Sequence, residues 1–134
     1  MKKAVIFFCI IALVSACKKK PTEPPPPPPS STMQGTWQGS GSVSGIPYTL
    51  NAVLAQMDST VTGTGSIVVL GQTIPFTVSG KSVYPNVSLA IVNADSTING
   101  TFIGTFNPAD NNEVNGLSNV PPTIVDQTLT IRRQ

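Results

Sequence analysis

Apolar and polar residues alternate along most of the chain from Met33 to Gln134, with a period of two residues. This period is typical of β-strands that bury one face, because successive side chains point to opposite sides of a strand. No window shows the helical spacing of three to four residues between apolar positions. The alternation predicts eight strands, at residues 34–44, 46–56, 60–70, 73–83, 87–93, 97–106, 113–118 and 123–133.

The connections between these strands are short and rich in turn-forming residues, as at residues 70–72 and 84–86. Short connections favour pairing between consecutive strands, and eight such strands can close on themselves and leave no exposed edge. The sequence therefore predicts an all-β, eight-stranded antiparallel up-and-down barrel. An immunoglobulin-like sandwich is the alternative, but it needs longer crossing connections and usually a central buried Trp, whereas Trp37 opens the first strand.

A short repeat runs through the same region. A β-branched residue, a small polar residue and Gly follow one another at residues 43–45, 61–63, 78–80, 98–100 and 114–116. Gly inside a strand lets another backbone approach closely, and small barrels need such tightly coiled strands. The repeat therefore supports the closed barrel.

The first 17 residues, MKKAVIFFCIIALVSAC, follow a different pattern. Lys2 and Lys3 precede an apolar run that ends at Val14, which is too short for a bilayer core that needs about 20 residues. A charged start and a short apolar run are typical of a secretory signal peptide. We expect residues 1–16 to be this signal peptide; an uncleaved membrane anchor is the alternative.

The end of this segment, Val14-Ser15-Ala16-Cys17, resembles the lipobox of bacterial lipoproteins. The resemblance implies cleavage before Cys17, diacylglycerol on its thiol and a fatty acyl chain such as palmitate on its amine. An incidental Cys in an ordinary secretory signal is the alternative. Lys18 stands where an acidic residue would signal retention in the inner membrane of enteric-type bacteria, so the resemblance implies the outer membrane.

Residues 17–32 are predicted to be the lipidated Cys and a tether. Six consecutive prolines, at 24–29, exclude helix and sheet because proline lacks the backbone N–H and has a fixed φ. Such a run adopts polyproline II, so residues 18–32 can hold the domain up to roughly 45 Å from the lipid. The domain itself is assigned to residues 33–134.

Charge and composition restrict the function of this domain. The chain contains no His, which excludes Ser-His-Asp and Cys-His catalysis and every His-liganded metal site. From residue 33 onward three cations face five acids, and this slightly acidic balance argues against nucleic-acid binding. The acids are scattered and show no paired-carboxylate pattern. We therefore expect no enzyme activity, no cofactor and no metal site.

Two segments at opposite ends of the domain resemble the calycins, the group of lipocalins, fatty-acid-binding proteins and avidins. They are Gly35-Thr36-Trp37 and the final strand that ends in Arg132-Arg133. In those families the Gly-x-Trp of the first strand packs against an Arg or Lys of the last strand and closes one end of the barrel. The resemblance implies this closure for Trp37 and Arg133, the latter because it shares the face of Leu129 and Ile131.

The same resemblance implies that a ligand enters at the end opposite Trp37. The inward residues expected to face it there are Tyr48, Leu50, Phe76 and Phe102. The chain has no further Trp on which a biotin-like ligand could stack, and no helical lid is visible. A domain of this length is also short for a lipocalin cup, so Phe side chains could fill the interior instead.

Two function classes follow. The first is an envelope lipoprotein that is held at the membrane by its N-terminal lipid and binds a small apolar or amphipathic ligand inside the barrel. The second is a structural or interaction module with a packed barrel that contacts another envelope component. A cavity above roughly 300 Å³ would favour the first class, and a filled interior the second.

Overall fold

A computed structural model describes residues 31–95, 97–121 and 124–134. The predicted signal peptide, Cys17 and residues 18–30 of the tether lie outside these ranges. The regular structure within them consists of eight β-strands. These are β1 (Gly35–Val43), β2 (Ile46–Met57), β3 (Thr60–Val69), β4 (Gln72–Val83), β5 (Asn86–Val92), β6 (Asn99–Asn107), β7 (Asp110–Val120) and β8 (Ile124–Arg133). The described ranges hold no helix capable of crossing a membrane.

Each strand pairs antiparallel with the next, and β8 pairs with β1, so the sheet closes into a barrel in sequence order. The predicted all-β meander barrel is confirmed, and the sandwich alternative is wrong. Closure follows from the short turns, which leave no length for a strand to cross to a second sheet.

The strand bounds agree with the predicted ones to within two residues, except in β7. The sequence predicts this strand at 113–118, but it begins at Asp110 and ends at Val120. Asp110 pairs with Asn107 across a tight turn, where the register of β6 and β7 shifts. The polar residues before Glu113 look like a loop in sequence, but they form the first part of the strand.

Inward side chains fill the middle of the barrel. The free space at its centre is only about 20 Å³, which leaves room for at most about one water molecule. The buried apolar cluster comprises Met33, Trp37, Tyr48, Leu50, Ala52, Leu54, Val61, Phe76, Val78, Val87, Leu89, Ile91, Phe102, Phe106, Val114, Leu129 and Ile131. The barrel is therefore a packed core and not a hollow cup.

The Gly repeat has a structural role in this tight packing. At Gly80, a Cβ atom would lie 2.1 Å from the carbonyl oxygen of Ser88 on β5, closer than any side chain allows. In four of the five repeats the Gly lies within a strand, whereas Gly45 lies in the turn between β1 and β2. At Gly80 the two neighbouring strands therefore approach each other closely, as the repeat predicts.

The closure between β1 and β8 is incomplete along its length. Only residues 37–39 of β1 pair with 131–133 of β8. Beyond them, residues 40–43 and 124–130 face each other without a ladder, and we call this stretch the open seam. Asp126 has a φ of 47°, which interrupts the extended course of β8, and the Gln127 side chain donates to the Ser42 carbonyl across the gap.

Candidate ligand site

One end of the barrel, here called the closed end, is sealed around Trp37. This side chain is fully buried, and its Nε1 donates to the Met33 carbonyl over 2.8 Å. The Phe106 ring packs against the indole in an edge-to-face contact, with a centroid distance of 6.3 Å. The Arg133 guanidinium carbon lies 5.1 Å from the indole centroid. Met33 is also fully buried, so apolar side chains pack closely at this end.

Arg133 also connects this end to the incoming chain. Its guanidinium donates to the Thr32 carbonyl, and its stem passes beside Gly35, whose Cβ position would lie 3.5 Å from the Arg133 Cδ. Gly35 has a φ of 127°, which side-chain-bearing residues rarely adopt. The Gly of the Gly-x-Trp segment therefore fits both the backbone shape and the position of Arg133.

The opposite end, here called the open end, holds a cup of about 340 Å³. It lies among the four connections β1–β2, β3–β4, β5–β6 and β7–β8. Its lining is almost entirely apolar, and we call it the cup from here on. It is formed by Val43, Ser44, Ile46, Tyr48, Ile67, Val69, Ile74, Thr97, Ile98, Val120, Pro121 and Ile124.

Asn93 positions one side of the cup. Its backbone N–H donates to the Ile98 carbonyl over 3.1 Å, and its Oδ1 accepts from the Ile98 N–H over 2.9 Å. Its Nδ2 donates to Thr97 Oγ1 over 2.8 Å. Asn93 is buried, so these bonds are protected from water. These hydrogen bonds fold the β5–β6 connection so that Thr97 and Ile98 line the cup.

Tyr48 brings a polar atom to this apolar site. The residue is only 4% exposed, and its hydroxyl has no hydrogen-bond partner among the described residues. The ring lies against Gly41 of β1, where a Cβ atom would stand 2.6 Å from the hydroxyl oxygen. Burial raises the pKa of Tyr48 above its ordinary value of 10.0, so the hydroxyl keeps its proton and can donate a hydrogen bond.

The structure separates the four residues expected to face a ligand. Tyr48 lines the cup, but Leu50, Phe76 and Phe102 surround the filled centre of the barrel. Alternation shows which side chains point inward but not their height along the barrel axis. Residues that the sequence reasoning missed, such as Ile67, Ile98 and Ile124, share one signal: they are apolar and lie close to an open-end turn.

Two depressions on the outer wall are larger in volume than the cup. One of about 550 Å³ includes Lys81, Ile103 and Asn115, and one of about 490 Å³ includes Gln38 and Arg132. Most of their lining residues point outward from the sheet into solvent. The cup differs because inward apolar side chains converge on it around a buried hydroxyl, which is the usual composition of a ligand pocket.

The charged side chains that form an ion pair or a hydrogen bond with a side chain or carbonyl described above lie outside the cup, near the closed end. Glu113 is 8% exposed and forms an ion pair with Arg132 on β8 near the closed end. Hydrogen bonds from Asn115 and Asn107, followed by the charge of Arg132, hold the pKa of Glu113 below its ordinary value. No cluster of three or more potential metal ligands occurs in the described part of the chain.

Comparison of the chain with protein-family models, with curated proteins and with solved structures finds no match.

Proposed function

We propose that this protein is an envelope lipoprotein, anchored in the outer membrane through acylated Cys17, whose calycin-like barrel binds a small apolar or amphipathic ligand. The site is the cup. The protein acts as a binding module and not as an enzyme. The observation that carries this proposal is an apolar concavity of about 340 Å³ at the end of the barrel opposite Trp37.

The size and lining of the cup support this function. Pockets for small molecules begin at about 300 Å³ and are mostly apolar with a few polar groups, and the cup has this composition. Ile67, Ile98 and Ile124 are only partly buried, so a bound apolar group would remove their remaining surface from water. Each Å² of apolar surface removed contributes about 25 cal/mol.

The filled centre by itself favours the second function class, so the ligand site proposed here is confined to the cup at the open end. Leu50, Phe76 and Phe102 occupy the space where a hollow barrel would hold a long chain. The ligand therefore rests at the mouth, between the open-end turns, and the core below it stays unchanged. One short chain or one compact ring system fits this volume better than a two-chain lipid does.

The test uses the mature chain, residues 17–134 with Cys17→Ser, purified without detergent. Native mass spectrometry looks for co-purified small molecules, and titration with the neutral dye Nile red measures binding. We expect saturable binding that Ile98→Gln weakens at least about tenfold, equivalent to 1.4 kcal/mol. Ile103→Gln makes the same chemical change on the outer wall and should leave binding unaltered. Absence of saturable dye binding would contradict the proposal.

A second candidate function rests on the outer wall. Ile103 of β6 and Leu117 of β7 are directly paired, and both are exposed, Ile103 to 62%. The two side chains form a small apolar patch on a barrel whose centre is packed. Such patches mark contacts with other proteins. In this alternative, Ile103→Gln abolishes cross-linking to another envelope protein, whereas Ile98→Gln does not.

A further inference from the structure

The cup continues sideways into a second space. A groove of about 340 Å³ follows the open seam, and it shares Val43, Ser44 and Ile124 with the cup. Its remaining lining comes from residues 125–128 of β8. The apolar cup and the more polar seam groove therefore form one continuous surface. A ligand with an apolar and a polar part matches this division.

Two buried polar atoms without a partner lie beside this junction. One is the hydroxyl of Tyr48, against Gly41. The other is Oε1 of Gln127, whose Nε2 is engaged with the Ser42 carbonyl. Because Nε2 must donate to that carbonyl, the remaining amide oxygen can only accept. A buried acceptor without a donor carries a free-energy penalty that a ligand donor would relieve.

The charges favour the same kind of ligand. Asp126 lines the seam groove, and Asp95 lies in the β5–β6 connection, both at the open end. The cations of the described region are Lys81, Arg132 and Arg133. All three lie in the half of the barrel near the closed end, because Lys81 pairs with Thr60 and Arg133 with Trp37. Among the described residues, an anionic head group at the open end would thus meet carboxylates and no cation.

We propose that the cup and the seam groove together select an amphiphile with one short apolar chain or ring and a hydrogen-bond-donating head, neutral or cationic, and discriminate against carboxylates. This inference rests on the proposed function and specifies its ligand class. The apolar part occupies the cup. The head lies by the open seam, where it donates to Gln127 Oε1 or to the Tyr48 hydroxyl oxygen and comes under the negative charge of Asp126.

The test is calorimetric titration of the mature chain at neutral pH with three probes of equal chain length: octanol, octylammonium and octanoate. We expect octanol and octylammonium to bind and octanoate to bind at least about tenfold more weakly. Asp126→Asn should bring the affinities of octylammonium and octanoate closer together. Asn tolerates the left-handed backbone of this position, so the variant should keep the fold.

Tyr48→Phe provides a second test of the site. The hydroxyl has no protein partner to lose, so the substitution should leave the unfolding free energy unchanged or slightly higher. It should weaken octanol binding at least about threefold, because a hydrogen bond to the ligand is removed. Tyr84→Phe makes the same change at an exposed position near the closed end and should alter neither quantity.

The outcomes separate the two proposals. Octanoate binding as tightly as octanol would overturn the inference about the head group and leave the proposed ligand site standing. Unaltered octanol binding in Tyr48→Phe would likewise overturn the inference that the junction of cup and seam groove supplies the hydrogen bonds to the head group. Failure of all three probes and of Nile red to bind would overturn the proposed function, and this inference with it.

Discussion

The guanidinium of Arg133 lies over the indole of Trp37, with its central carbon 5.1 Å from the ring centroid, and the two residues are Cα partners between β8 and β1. They come from the last and the first strand, so this contact joins the two ends of the domain. It coincides with the only part of the β1–β8 interface that forms a ladder in the described strands. The pair therefore stabilises the point at which the barrel closes.

Trp37→Ala should destabilise the domain by about 3–5 kcal/mol, the usual cost of removing a large buried aromatic side chain. Arg133→Ala should cost less, in line with one cation–π contact and the packing of its stem. The two effects should be non-additive, because Arg133 has nothing to stack on once Trp37 is gone. Denaturant unfolding of the single and double variants measures this coupling.

The matched control for that cycle is Arg132→Ala. Arg132 is the neighbouring cation, but it pairs with Glu113 and does not stack on Trp37. Its effect should add to that of Trp37→Ala. Equal coupling in both cycles, or a Trp37→Ala effect below about half a kcal/mol, would show that the stacking contact does not hold the closure together.

Glu113 predicts a dependence of stability on pH. Its pKa is lowered in the folded protein, so its stabilising effect is present above the ordinary value of 4.5 and disappears as the pH falls through the lower, folded value. Glu113→Gln should therefore reduce the unfolding free energy at neutral pH, and the difference from the unmodified protein should shrink in acid. Asp58→Asn, at an exposed turn, serves as the control. A difference that stays constant over this range would contradict the assignment.

Gly80→Ala should destabilise the barrel although it adds only a methyl group. The new Cβ would lie 2.1 Å from the Ser88 carbonyl oxygen, so β4 and β5 would have to move apart. Overpacking of this kind costs about 1–3 kcal/mol. Ser79→Ala, on the exposed neighbouring residue, should change the melting temperature little. Equal melting temperatures for the two variants would show that β4 and β5 can move apart without a loss of unfolding free energy.

Cys17→Ser tests the anchor. Each buried CH₂ group adds about 0.8 kcal/mol of membrane affinity, so two or three acyl chains hold a protein firmly at a membrane. We expect the variant to be soluble or to remain unprocessed, as seen by fractionation and by the mass of its N-terminus. A cleaved variant that still fractionates with membranes as the unmodified protein does would refute lipidation as the anchor.

The sequence predicted the fold because two signals were consistent along the whole domain. Alternation marked every strand, and turns such as residues 70–72 left no length for a crossover. The start of β7 was missed because Asp110 and its polar neighbours have low strand propensity, and the strand begins there through the pairing of Asp110 with Asn107 of β6. Tertiary pairing of this kind leaves no local signal.

The site was less accessible to sequence reasoning than the fold. Alternation placed Phe76 and Tyr48 on the inner face alike, but the stagger between strands sets their heights, so one fills the centre and the other lines the cup. The sequence around Asp126 predicts an ordinary extended strand, because an Asp inside a strand rarely adopts the left-handed conformation found here. The open seam therefore could not be predicted from the sequence.

The hydrogen bond from Arg133 to the Thr32 carbonyl fixes where the chain enters the barrel. This point lies beside Trp37, so the tether leaves from the sealed pole and the mouth of the cup opens at the other pole. In the proposed binding protein, a ligand would therefore enter at the pole away from Thr32, and the chain that joins the barrel there would not obstruct its entry.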